Sequence, residues 1–181
     1  MTMNYYPTSL EHILAELERI DVLIRVQVWR AQQVQVTADQ LQGFYISEQE
    51  VEALLSQPVG RPRWATVPLP PSLSEVQDVL NQLGQGINQR KVMSAQQGVK
   101  LRLNELADHF QLTPFDIDVL LIALAPEIDL RYERLYAYLQ DDMNRKQPSV
   151  DLALNLLCPS LADKVAARSH FTPQSPLFNH Q

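Results

Sequence analysis

Leu10, Ile13, Leu14, Leu17, Ile20, Ile24, Val28 and Ala31 recur at steps of three and four residues, with Glu11, Glu16, Glu18, Arg19, Asp21, Arg25 and Arg30 between them. This spacing predicts a helix of about 25 residues, roughly 37 Å long, carrying a broad apolar stripe flanked by a solvated face with supporting ion pairs. Thr8-Ser9-Leu10-Glu11 marks its start, because the threonine oxygen and the glutamate can each accept an orphan backbone N–H. Val22, Ile24, Val26 and Val28 also alternate at strand period, and the longer helical stripe outweighs them.

The same kind of signal recurs downstream. Ser47-Glu48-Gln49-Glu50 introduces a short helix over residues 48–57, ending before Pro58. Five prolines between Pro58 and Pro71 predict an extended connection. Ser72-Leu73-Ser74-Glu75 precedes Val76, Val79, Leu80 and Leu83, a helix expected to stop near Gly84. Leu101, Leu103, Leu106, Ala107 and Phe110 make another helix, and Gln111-Leu112-Thr113 a tight turn. Thr113 as cap with Pro114 at the first helical position then opens an element apolar almost all round, Phe115 to Ala125, expected to be the most buried.

Pro126-Glu127-Ile128-Asp129 is expected to break that helix. A further one begins at Leu130 or Arg131, with Tyr132, Leu135, Tyr136 and Leu139 on one face and Tyr138 beside them. After a polar loop at 141–148, Ser149 caps Val150 to Leu157, with Leu152, Ala153, Leu156 and Leu157 facing inward. One more helix fits 160–168, and His170 to Gln181 has the look of an arm. The chain is thus mostly α. It divides into a helical N-terminal segment with a long first helix (1–57), a proline-rich linker and helix (58–100), a helical domain (101–160) and a tail (161–181).

Composition adds exclusions. Among 181 residues, five glycines stand against twelve prolines, which suits helices joined by proline-punctuated connections. A formal net charge of −6 sets an average field that repels phosphate backbones, so nucleic acid is disfavoured as a partner. Cys158 is the one cysteine, set in an apolar run, and it rules out an internal disulfide. A reducing, cytoplasmic setting and no membrane partner are expected, because the longest apolar run is far below the roughly 20 residues a span needs.

Catalytic patterns are missing. None of the glycines begins a phosphate-binding loop, and Gly84-Gln85-Gly86 lacks both a third glycine and a preceding strand. His12, His109, His170 and His180 are too scattered for a metal site, and no Gly-x-Ser-x-Gly turn occurs. No cofactor, no metal and no catalytic residue are therefore assigned. Leu106 to Leu124 has the spacing of a helix-turn-helix, yet residues 114–125 contain no Lys, Arg, Asn or Gln to meet phosphates or bases. Asp116 and Asp118, expected at exposed positions near the helix start, would repel DNA.

Leu101-Arg102-Leu103, Leu106-Ala107 with Phe110, Leu112 to Phe115, Asp118 to Leu121, Ala125-Pro126-Glu127, Arg131-Tyr132, Leu135 to Asp142 and Pro148 to Cys158 form about 60 residues of continuous pattern. This stretch resembles the helical, winged-helix-type region that precedes the motor in a group of bacterial AAA+ ATPases. The LERIDVLIRVQVWR part of the first helix is similar to the start of such proteins, some of them associated with contractile injection systems. Asp116 stands where these regions commonly have glutamate, and residues 36–100 match poorly.

The resemblance implies a winged-helix-like helical domain acting as a non-catalytic adaptor. Its ATPase domain, with ATP and Mg, would lie outside these residues. Its partners would be a protein substrate, a neighbouring subunit, including in a homo-oligomer, or its own motor. Trp29, Trp64, Tyr136 and Tyr138 are the candidate contacts, because aromatic side chains dominate interface energetics. Arg131 and Arg134 join them from a basic set with Arg145 and Lys146, whose simpler role is ion pairing with Glu127, Asp129, Glu133, Asp141 and Asp142. The alternative is a winged-helix DNA-binding regulator.

Overall fold

A computed structural model describes residues 4–35, 48–56, 59–60, 67 and 75–179. Among these residues every regular element is helical: α1 (Ser9–Gln35), α2 (Glu48–Leu55), α3 (Val76–Gln96), α4 (Arg102–Phe110), α5 (Pro114–Ile128), α6 (Arg131–Leu139), α7 (Val150–Leu157) and α8 (Leu161–Ala167), followed by a 3₁₀ turn at Arg168–Phe171. Ser47, the Pro58–Pro71 connection, Ser72 to Ser74 and Trp64 lie outside the described residues, apart from Val59, Gly60 and Val67.

The Thr8 hydroxyl accepts the Glu11 N–H at 3.3 Å and starts α1 as the sequence predicts. The buried stripe of α1 is rotated from the expected one. Leu10 and Leu14 are 59% and 42% exposed, whereas His12, Glu16 and Gln27 are buried in line with Ile20, Ile24 and Ala31. The cause is the segment before the helix: Tyr6, 1% exposed, packs on Ile87 and Leu101 and covers the side of α1 that His12 occupies. The charged residues of α1 are therefore not all a solvated face.

α3 runs without a break through Gly84 and Gly86, correcting the expected stop near Gly84. Its packing against α1 and the N-terminal segment outweighs two glycines. Ser94, fully buried, accepts the Tyr6 N–H at 2.8 Å, and the Arg90 guanidinium lies 3.9 Å over the Tyr6 ring. The helix ends at Gly98, whose φ of +74° lets its own N–H reach the Ala95 carbonyl and the Val99 N–H reach the Ser94 carbonyl.

α4 and α5 are joined at Gln111 (φ +53°), with the Leu112 N–H on the Ala107 carbonyl at 2.9 Å. Thr113 and Asp116 form the reciprocal cap that starts α5. Pro126 does not break α5, which continues to Ile128. A proline at 126 removes the N–H that would bond the Ile122 carbonyl, and the Tyr136 hydroxyl donates to that carbonyl instead, at 2.8 Å.

One core takes Leu17, Ile20, Ile24 and Ala31 from α1, Leu121, Ile122 and Ala125 from α5, Tyr132, Tyr136 and Leu139 from α6, and Leu152, Ala153 and Leu156 from α7, with Leu103 of α4. This core crosses the sequence boundaries at residues 57 and 100. The expectation that α5 is the most buried element is corrected by α7, where Leu152 to Leu156 are all buried; α5 has Ala123 exposed within its apolar run. The Ser149 hydroxyl caps α7 by accepting the Leu152 N–H, and Gln140 bridges the loop before it by donating to the Arg145 and Gln147 carbonyls.

The segment after α8 folds back onto α5. His170 Nδ1 lies 2.7 Å from Asp116, its ring packs 4.6 Å from that of Phe115, and the Ser175 hydroxyl donates to the His170 carbonyl at 2.7 Å. The described part of the expected arm is therefore docked, because the buried Asp116 carboxylate needs a polar partner.

Candidate interaction surface

The five candidate contact residues that are described differ in burial. Tyr136 is fully buried and spends its hydroxyl on Ile122, so it is a core residue and no contact. Tyr138 and Trp29 are half-buried, Arg131 and Arg134 are exposed, and Trp64 lies outside the described residues. Arg131 bonds Asp129 at 3.0 Å and Asp21 of α1 at 3.4 Å, and Lys146 bonds Glu133 at 3.2 Å. Arg145 approaches Asp142 at 3.9 Å. The basic set is thus largely ion-paired, with Asp21 an acceptor the sequence did not reveal.

The two carboxylates placed at the exposed start of α5 are both engaged. Asp116 is 0% exposed, accepting from the Thr113 N–H at 2.8 Å and the Thr113 hydroxyl at 2.7 Å as well as facing His170. Burial pushes its carboxyl up, but these hydrogen bonds outweigh burial and hold it below the ordinary value. Asp118 is gripped by both terminal nitrogens of Arg19 on α1, and Arg19 also bonds Glu16 at 3.1 Å. Burial nonetheless pushes Asp118 up. Burial pushes Glu16 up too, but the His12 ring and Arg19 prevail and leave its carboxyl below the ordinary range.

This triad forms part of the wall of a groove of about 720 Å³ between α3 on one side and the α4–α5 turn and α7 on the other, with α1 as its floor. Leu23, Leu80, Ile117, Leu156 and Leu157 supply its apolar lining. Its polar rim is mainly the α3 amides Gln77, Asn81, Gln85 and Asn88, with Lys91 beyond them. A smaller hollow of about 280 Å³ continues past Leu23 and Gln77 toward Cys158 and Lys164. Burial pushes the Cys158 thiol up, which keeps it protonated and a poor nucleophile. Lys164, also buried, donates to the Gly60 carbonyl at 2.7 Å and pairs with Asp151 at 3.5 Å.

The sequence did not mark this groove, because its rim is an ordinary-looking polar face of α3 and its lining comes from helices far apart in the chain. The one available signal was the repetition of amides at helical steps. Among the described residues, no group of three or more His, Cys, Asp or Glu is placed to hold a metal ion. No helix among them is long and apolar enough to cross a membrane.

Comparison with curated proteins and with solved structures gives no match. The family model described as "Winged helix domain, variant" matches residues 2–181, nearly the whole sequence. The all-helical arrangement, with α4, a tight turn and the capped α5 at its centre and no strand among the described residues, fits a variant of that fold. The chain belongs to the winged helix domain variant family.

Proposed function

We propose that this chain is the non-catalytic protein-interaction domain of an AAA+ ATPase, working as an adaptor that engages a protein substrate, a neighbouring subunit or its own motor in the cytoplasm. The resemblance of residues 101–158 to the regions preceding such motors supports the ATPase context. The observation that carries the interaction role is the wiring of α5. Asp116 and Asp118, its polar residues near the start, are bonded to the C-terminal segment and to α1. The helix that a DNA reader would insert into the major groove is here a strut of the core, without a Lys, Arg, Asn or Gln between residues 114 and 125.

Reading the gene's open frame beyond Gln181 tests the ATPase context. A Gly-x-x-x-x-Gly-Lys-Ser/Thr segment within the next few hundred residues is the expected result. A stop codon directly after Gln181 would contradict it.

A second reading, a winged-helix DNA-binding regulator, is favoured by one observation: the tight turn between α4 and α5 has the geometry of a helix-turn-helix. The acidic net charge and the engaged face of α5 weigh against it.

A further inference from the structure

Gln77, Asn81, Gln85 and Asn88 follow one another along α3 at steps of four, four and three residues, all exposed and all on the groove. Four residues of α-helix rise about 6 Å, and two residues of extended chain advance about 6.6 Å. One amide therefore comes opposite each two-residue repeat of an extended segment over several turns. A primary amide carries both a donor and an acceptor, the two functions that a peptide group presents. Gln77 and Asn81 already join through one such bond at 3.3 Å, which aligns them without using their full capacity.

Gly84 lies on the same face, between Asn81 and Gln85. A glycine inside a helix is destabilising relative to alanine. A Cβ built at Gly84 or at Gly86 would meet nothing within 4 Å, so the fold itself gives no reason for glycine at either position, and of the two only Gly84 lines the groove. The close approach of another main chain there does give a reason. Across the groove, Ile117, Leu156 and Leu157 form the apolar surface that alternate side chains of such a segment would meet. The Glu16–Arg19–Asp118 charges are closed on one another, which leaves nothing in that wall to attract a phosphate backbone.

We propose that the groove binds an extended, uncharged polypeptide segment of a partner protein. Its main chain would be hydrogen-bonded to the α3 amides across Gly84, with every second side chain on the Ile117–Leu156–Leu157 surface opposite. Main-chain bonding of this kind supplies affinity, and the apolar hollow supplies selectivity. The inference deepens the adaptor reading and rests on it for the partner being a protein.

The test is selection of a phage-displayed random dodecapeptide library on the intact chain. The enriched peptides are then synthesised and their binding measured to wild type, Gly84→Ala, Gly86→Ala and the Asn81→Ala/Gln85→Ala double variant. The expected peptides alternate apolar residues and carry little charge. They bind Gly86→Ala as they bind wild type, and lose about tenfold or more in affinity with Gly84→Ala and with the double variant. Thermal melts of both glycine variants stay at or above wild type, which separates lost binding from lost folding.

Peptides that bind Gly84→Ala as tightly as wild type would overturn the groove while leaving a protein-interaction role standing. Failure to enrich any peptide would overturn the inference. So would concentration-dependent self-association abolished by Gly84→Ala, which would assign the groove to a second copy. Failure of the ATPase context is read separately, from the open frame.

Discussion

Tyr136 and Pro126 are coupled through a carbonyl. The Ile122 oxygen loses its helical partner to the proline and regains one from the Tyr136 hydroxyl, in a fully buried setting. Tyr136→Phe strands that oxygen, and urea denaturation should show a loss of about 1–3 kcal/mol with the fold retained. In a Pro126→Ala background the backbone N–H returns, so the same substitution should cost clearly less; equal costs in both backgrounds would refute the coupling.

Asp116 makes a prediction in pH. Its carboxyl is held below the ordinary value of 3.8, so the unfolded chain takes up its proton first as pH falls. The stabilisation is fully present above 3.8 and is lost below it, as pH falls through the depressed folded value. Stability of wild type minus that of Asp116→Asn, followed by denaturant titration, should shrink as pH falls below this value.

The cap at Thr113 was legible in the sequence, since Thr-Pro is a local signal, whereas its reciprocal pairing with Asp116 was not. Sequence reading mistook Asp116 and Asp118 for exposed groups because their partners, His170 and Arg19, lie 54 and 99 positions away. His12 was equally hidden: nothing local announces that this ring is buried beside Tyr6.

At the scale of elements, caps and apolar period were enough to place α1 and α4 through α7, and they fixed the α5 start at Thr113. The period misled where an element's local cost is offset by tertiary contacts. Gly84 was read as a stop, yet α3 passes through it because Ile87 and Ser94 further along are anchored on the N-terminal segment. The tail after α8 looked like an arm because Pro173 and Pro176 mask a segment docked through His170 and Ser175.

Helix ends supply the element-scale test. Gln111 and Asp141 hold φ of +53° and +51° at the ends of α4 and α6, where only glycine is unstrained, whereas Gly98 meets the same demand after α3. Gln111→Gly or Asp141→Gly should raise stability by about 0.5–1 kcal/mol, and Gly98→Ala should lower it by about 1 kcal/mol, all measured by thermal melting. A loss on introducing glycine at both positions would show that the side chains there have a role the geometry does not reveal.

Over the whole molecule α1 is the spine, touching α3 through α7, and Arg19 ties it to α5. Removing one member of a largely buried ion pair leaves the other charge uncompensated, so Arg19→Ala should cost about 3 kcal/mol in chemical denaturation. The apolar pair Arg19→Met with Asp118→Leu should recover most of that loss. If the double variant were as unstable as the single one, the ion pair would be more than a link between the two helices.

In this account α5 is a structural member and the working surface is the groove beside α3. The most direct test is fluorescence anisotropy of a labelled random-sequence DNA duplex titrated with the chain at low ionic strength, where nonspecific phosphate contacts are strongest. With α5 held in the core, no binding is expected up to the highest concentration reached. Salt-dependent binding that is abolished by substituting Arg131 and Arg134 with alanine would contradict this account and favour the DNA-reading alternative.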